Sequence, residues 1–223
     1  MSFTGPSNYE KFQVLKIKKK LNRADSVEKR IKIEGKIVGV NYYESVYSPM
    51  VTCSFLQEDT GGTTSDDLTG FAGTLKDITP IEGFEEVIFQ KATGSGKLKF
   101  LNRKNQCFII IGSPFNVDEG QKQTAFFPMV SKNAIKNANK PLNTVYPEAK
   151  ISDIVKKILK DKKGMNLPNK LLDIEPTKNN MKVDGTNQPP LDTILKLCSK
   201  AEPEDGSDPG FFFFETQSVS RVL

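Results

Sequence analysis

Hydrophobic positions recur with a period of two over the first part of the chain. Leu15, Ile17 and Leu21 alternate with Lys16, Lys18 and Lys20, which is the pattern of a half-buried strand. Ser26 to Tyr47 reads as one long β segment. Val27, Ile31, Ile33 and Ile37 are apolar at odd positions, and after Val38 the apolar set moves to Val40 and Tyr42. That phase slip beside Gly35 and Gly39 predicts a bulge or sharp bend, a device that curls a sheet toward a barrel. Val51, Cys53 and Phe55 resume the alternation after a Ser48–Pro49 turn. Gln57 to Gly70 is rich in Gly, Thr, Ser and Asp and reads as a loop. Further strands are expected over Phe84 to Ala92, Cys107 to Ser113 and Thr124 to Val130. The unbroken apolar run Cys107 to Ile111 fits a strand covered on both faces. No helix is expected before residue 130.

The period changes at Ser131. Ser131 to Asn139 resembles a short helix. Ile151, Ile154, Val155, Ile158 and Leu159 fall at helical spacing, with Ser152 as the expected N-cap and lysines crowding the end before Gly164. A second helix is expected from Pro190, with the stripe Leu191, Ile194, Leu195 and Cys198. An acidic turn, Glu202 to Pro209, then leads into a strand over Gly210 to Thr216. The expected architecture is therefore β-rich plus α+β. A β-barrel domain over 1–130 is expected to precede a small α+β domain over 131–223, the latter incomplete at its C-terminus.

At 223 residues the chain is long enough for one or two domains. The absence of His removes Ser-His-Asp and Cys-His mechanisms and His-containing metal sites. Cys53, Cys107 and Cys198 form no CxxC pair and read as buried, apolar-like thiols. No apolar run approaches the 18 or so residues of a membrane helix, so a soluble, cytosol-assembled protein without membrane insertion is expected. Residues 11–36 carry ten basic and three acidic side chains within a chain of formal net charge +5. Such a segment fits a nucleic-acid surface, and it fits equally a solvated strand face. The interleaved Leu15, Ile17 and Leu21 favour the solvated face or an interface over exposed stacking aromatics.

Candidate chemistry thins out on inspection. Thr93 to Lys97 brushes against a phosphate loop, but Lys91 and Leu98 stand where that motif needs Gly and Ser or Thr, so a hairpin is expected. Glu202, Glu204, Asp205 and Asp208 miss the calcium-loop spacing. Glu85 and Glu86 are adjacent on a strand and point to opposite faces. Lys156, Lys157 and Lys160 read as the wet face of a helix. No catalytic, cofactor or metal constellation emerges. Phe211, Phe212, Phe213 and Phe214 place rings on both faces of one strand. They read either as a central strand between two apolar layers or as a strand completed by another domain or subunit.

Several segments are familiar as a set. Tyr43 to Pro49 resembles part of the first domain of baseplate central hub proteins of contractile-tailed phages. Pro80 to Val87, Val130 to Asn137, Ile151 to Leu159, Pro190 to Ile194 and Gly210 to Thr216 resemble later segments of that family, in the same order. The resemblance covers about residues 40–216. It implies a tail-tube-like barrel followed by the α+β domain, in a non-enzymatic hub that links the tail tube to the central spike and adapts sixfold to threefold symmetry. The spike proteins of type VI secretion are related in architecture.

The same resemblance implies partners and places. The chain would assemble with itself as a trimer or ring. It would also meet the tail-tube protein, the central spike protein and other baseplate proteins, with DNA only in transit through the lumen. Its location would be the virion baseplate, assembled in the host cytoplasm. Interface candidates are Tyr43, Glu44, Ser45, Tyr47, Pro49 and the Phe211 to Phe214 run. Family hubs continue past the last matched strand into a second tube-like barrel. Leu223 closes this sequence before one, so a fragment, a complementing chain or a different assembly is expected. The rival reading from the residues alone is a small basic nucleic-acid-binding barrel, whose affinity falls steeply with salt.

Overall fold

A computed structural model describes residues 11–17, 28–32, 36–59, 64–65, 72–73, 81, 83–93, 96–100, 107–112, 115–119, 122–206, 210–216 and 220–222. The chain divides into two compact units: Met1–Tyr42 with Thr52–Val130, and Tyr43–Val51 with Ser131–Leu223. The second unit thus takes in a segment from far upstream as well as the helical half. The expected slip at Gly35, the lysine side chains of 11–36, Leu21, Asp208 and most of the 60–70 loop lie outside the described residues.

The first unit is built on a largely antiparallel sheet. Its strands are β1 (Lys11–Ile17), β2 (Glu28–Lys32), β3 (Lys36–Tyr43), β4 (Thr52–Asp59), β5 (Thr64–Ser65) and β6 (Ala72–Gly73). They continue with β7 (Glu86–Thr93), β8 (Gly96–Phe100), β9 (Phe108–Ile110), β10 (Phe115–Glu119) and β11 (Lys122–Ser131). The order is β3-β4-β11-β9-β7-β1-β2-β5-β6, with β10 on β11 and β8 on β7. Among the described pairings this path is open. Strand β9 is buried at every position, as its unbroken apolar run predicts. Phe55 on β4 faces Phe127 on β11 in register, and the rings stack at 4.2 Å. β7 and β8 form the hairpin expected around 93–97, with Thr93 opposite Gly96.

In β1, register puts Val14 between Ile31 and Val87, and Leu15 between Arg30 and Glu86. The side chains of Leu15 and Ile17, expected on one face, lie outside the described residues. One strand expectation shifts. The β segment expected to reach Tyr47 stops at Tyr43. There the Ser45 hydroxyl accepts the Tyr47 N–H at 3.2 Å and the Ser45 carbonyl accepts the Ser48 N–H at 3.1 Å, which turns the chain.

In the second unit, helix α1 (Lys132–Asn139) starts at Ser131, whose hydroxyl accepts from the Ala134 N–H as an N-cap. Helix α2 (Ile151–Lys160) and helix α3 (Pro190–Cys198) follow. A two-stranded ladder joins β12 (Val145–Lys150) to β14 (Asn180–Asp184), with a bulge at Pro147, which has no N–H to donate. A three-stranded sheet runs β13 (Leu172–Ile174), β16 (Ser220–Val222), β15 (Phe213–Glu215). Ile151, Ile154, Ile158, Leu191, Ile194 and Phe213 share one core.

Two helix details correct the sequence expectation. Ser152 is not the N-cap of α2; it is buried inside the first turn. Its backbone N–H donates to the Thr177 hydroxyl at 3.0 Å, and Thr177 N–H returns a bond to its hydroxyl at 3.4 Å. In α3 the buried stripe runs through Leu197, while Leu195 is exposed. The start of α3 is held by Asn137 of α1, whose side-chain oxygen accepts the Leu191 N–H at 2.8 Å. This supplies the acceptor that a proline N-cap lacks.

Candidate functional site

The residues singled out from the sequence come to two places in the second unit. Tyr43, Glu44, Ser45 and Tyr47 lie on the exposed tip of the Tyr43–Val51 excursion, and Pro49 is half-buried. Of the phenylalanines, Phe211, Phe213 and Phe214 are buried, and Phe212 is 45% exposed. The strand is thus shorter than expected. It has a partner inside the chain, with Phe213 opposite Val222 and Glu215 opposite Ser220.

The tip and the Phe run meet. Tyr47, 82% exposed, packs edge-on against Phe212 with ring centroids 5.7 Å apart and planes at 87°. Such pairs favour this geometry because the positive ring edge meets the negative ring face. Val46 and Tyr43, the latter 60% exposed, stand bare beside them on the same short tip. An isolated exposed apolar side chain is ordinary; here Tyr43, Val46, Tyr47 and Phe212 are all exposed within the second unit.

One buried carboxylate fixes this arrangement. Glu215 Oε2 accepts the Val51 N–H at 3.2 Å and the Ser131 hydroxyl at 2.6 Å, while Oε1 accepts the Asn133 amide at 2.7 Å. The Val51 carbonyl in turn accepts the Ser131 N–H at 3.0 Å. The foot of the excursion, the start of α1 and strand β15 are therefore joined at one side chain. Burial pushes the Glu215 carboxyl above its ordinary value; the three donated bonds and the charge of Lys136 oppose that rise. Sequence reasoning missed Glu215, Ser131 and Asn133 as a set. The available signal was a lone acidic residue at the inward position of an otherwise apolar strand, following Phe211 and Phe213.

Other candidates resolve without chemistry. The hydroxyl of Ser48 donates to the Met50 carbonyl at 2.8 Å and shapes the excursion. Glu204 of the acidic turn pairs with Lys150 at 2.7 Å on the surface. Among the described residues no group of three or more His, Cys, Asp or Glu is placed to hold a metal. Glu85 is buried and accepts the Gly83 N–H at 2.9 Å. All three cysteines are buried and none forms a disulfide, and burial raises the Cys53 thiol to about 12 and the Cys198 thiol to about 11. No helix among the described residues is long and apolar enough to cross a membrane.

The fold is similar to that of a solved prophage tail protein. The 43 kDa tail protein of prophage MuSo2 from Shewanella oneidensis superposes with a TM-score of 0.52 at 8% identity, over 95% of this chain and 52% of that one. A tail protein from Neisseria meningitidis MC58 superposes at 0.46 and 10% identity, over 95% and 50%. The E. coli c3393 protein, a component of the type VI secretion system with structural similarity to bacteriophage T4 tail proteins, superposes at 0.45 and 12% identity, over 97% and 45%. The chain spans about half the length of these proteins. No protein-family model matches it, and no curated protein is similar to it.

Proposed function

We propose that this chain is a structural component of a phage tail baseplate hub, linking the tail tube to the central spike and adapting sixfold to threefold symmetry. The observation that carries the proposal is the fold shared with the MuSo2 tail protein over 95% of the chain. On this reading residues 1–130 make a tube-like barrel and 131–223 an α+β domain. One feature of the topology supports closure. β2 and β3 are separated by only three residues, yet β3 begins the strand path and β2 lies toward its far end. Two strands so close in sequence at distant points of the path favour bringing those points together, as a closed barrel does.

The role is mechanical, without a catalytic step. Its partners are further copies of the chain, the tail-tube protein, the spike protein and other baseplate proteins, with DNA only passing through the lumen, and its place is the virion tail. The bare Tyr43, Val46, Tyr47 and Phe212 group supports contact with a protein neighbour, since clustered aromatics anchor such interfaces. The test is capture of the tail-tube and spike proteins of the same phage by the chain, compared with Tyr47→Ala and Phe212→Ala. Both substitutions replace exposed side chains and leave the fold intact. Binding weakened at least tenfold supports the reading; undiminished binding by both variants removes this patch from the interface.

A further inference from the structure

The clasp at Glu215 has a second arrangement open to it. As it stands, Oε2 accepts the Val51 N–H and the Ser131 hydroxyl, and Oε1 accepts the Asn133 amide. Asn133 has no competing commitment: its side-chain oxygen is buried without a partner among the described residues. A half-turn about the last side-chain bond exchanges the donor and the acceptor of such an amide in place. The direction in which this amide faces is therefore set by Glu215.

Glu215 is 7% exposed, and burial opposes its charge. Oε2 already has two donors aimed at it, so a proton from solvent is crowded out there. Oε1 meets Asn133 alone. A proton on Oε1 confronts N–H hydrogens while the amide stands as it does, and meets the Asn133 oxygen once the amide has turned. In each charge state the carboxyl keeps three hydrogen bonds and one half of the amide is left over. The bond count does not choose between the two arrangements, so the proton does.

The surroundings leave that choice to the carboxyl. Lys136 on α1 is the one charge among the described residues that acts on Glu215, and it favours the ionised form while its ammonium donates to the Met165 carbonyl at 2.6 Å. β16 sets Ser220 opposite Glu215 and Arg221 opposite Phe214. The excursion contributes the Val51 N–H, and its titratable Tyr43, Glu44 and Tyr47 are exposed. Asp192 and Lys196 on α3 are exposed as well.

We propose that Glu215 and Asn133 form a proton-linked pair: when Glu215 takes up a proton the Asn133 amide turns over, and the foot of the Tyr43–Val51 excursion stays fastened in both states. Both bonds at Oε2 persist through the exchange, so Tyr47 keeps its place on Phe212 while the buried charge comes and goes. The exposed aromatic group is thereby insulated from a pH change that the clasp itself registers. The pair works in this way whether or not that group meets a tail protein.

The test is NMR of the isotope-labelled full chain, with Glu215→Gln as a fixed copy of the protonated state. In the wild type the Asn133 side-chain amide resonances are expected to move with the Glu215 carboxyl, at one common midpoint. Glu215→Gln always offers an N–H from that position, and is expected to show the acidic wild-type Asn133 pattern at every pH. The exchange rate of the Val51 N–H, corrected for its intrinsic pH dependence, is expected to change by less than about threefold across the titration. Asn133 resonances that stay still while Glu215 titrates overturn the inference, and so does a Glu215 carboxyl that never titrates in the folded chain. Glu215→Gln with the alkaline wild-type pattern overturns it too. A larger change in Val51 exchange means that the foot opens in one charge state, and overturns the fastening.

Discussion

Replacing Glu215 by alanine strands three donors at once: the Val51 N–H, the Ser131 hydroxyl and the Asn133 amide. A buried donor left without a partner costs about 1–3 kcal/mol. The Val51 bond is the longest at 3.2 Å and belongs at the low end. The Ser131 proton can swing elsewhere while its oxygen goes on capping α1. Removing the carboxylate also removes its own desolvation. The net expectation is ~3 kcal/mol, a large share of the 5–15 kcal/mol that holds a typical domain. With a urea slope of ~2 kcal/mol/M the midpoint of the second unit falls by ~1.5 M.

Glu215→Gln separates hydrogen bonding from charge. Its carbonyl keeps the Val51 and Ser131 bonds, and its new N–H group faces Asn133. The Asn133 side-chain oxygen is buried without a partner among the described residues, so a rotated amide accepts that N–H. The cost stays below ~1 kcal/mol. The two variants also differ from wild type in pH dependence. Burial holds the Glu215 carboxyl above its ordinary 4.5, so the folded chain retains a proton that the unfolded chain has released. That contribution is fully present below pH 4.5 and is lost as pH rises through the raised value. Glu215→Gln flattens this stretch of the stability curve. A midpoint shift under ~0.5 M for Glu215→Ala, or equal losses for Ala and Gln, would refute the account of the clasp.

Three further outcomes are expected. Gln57 is buried with neither amide atom partnered among the described residues, so Gln57→Met should raise stability by ~1 kcal/mol in denaturant unfolding; a loss would reveal a partner that the amide needs. Leu197→Ala should cost ~2–5 kcal/mol and Leu195→Ala under ~1 kcal/mol, and the reverse order would place the wrong face of α3 inward. Cys53 and Cys198, buried with thiols raised to about 12 and about 11, should resist a thiol reagent in the native chain and react in urea; rapid native labelling would contradict their burial.

Helix α2 was legible because it buries a single stripe: Ile151, Ile154 and Ile158 announce it with no help from tertiary context. The strand core at Cys53 and Phe55 was legible from its alternation, and Phe108 to Ile110 from its unbroken apolar run. Ser152 looks like a cap by position, but Thr177 competes for it from 25 residues away. The exposed aromatic group was half legible. Tyr47 and Phe212 stand out separately, and their meeting depends on Glu215, whose partners are 82 to 164 residues distant. No local pattern encodes such a clasp.

The central claim is that the chain is a structural tail part that assembles with copies of itself at the tube. Electron microscopy of the purified chain mixed with assembled tail tubes of the same phage tests it most directly. The account predicts ring-shaped particles seated on tube ends. Bare tube ends beside a strictly monomeric chain would contradict it.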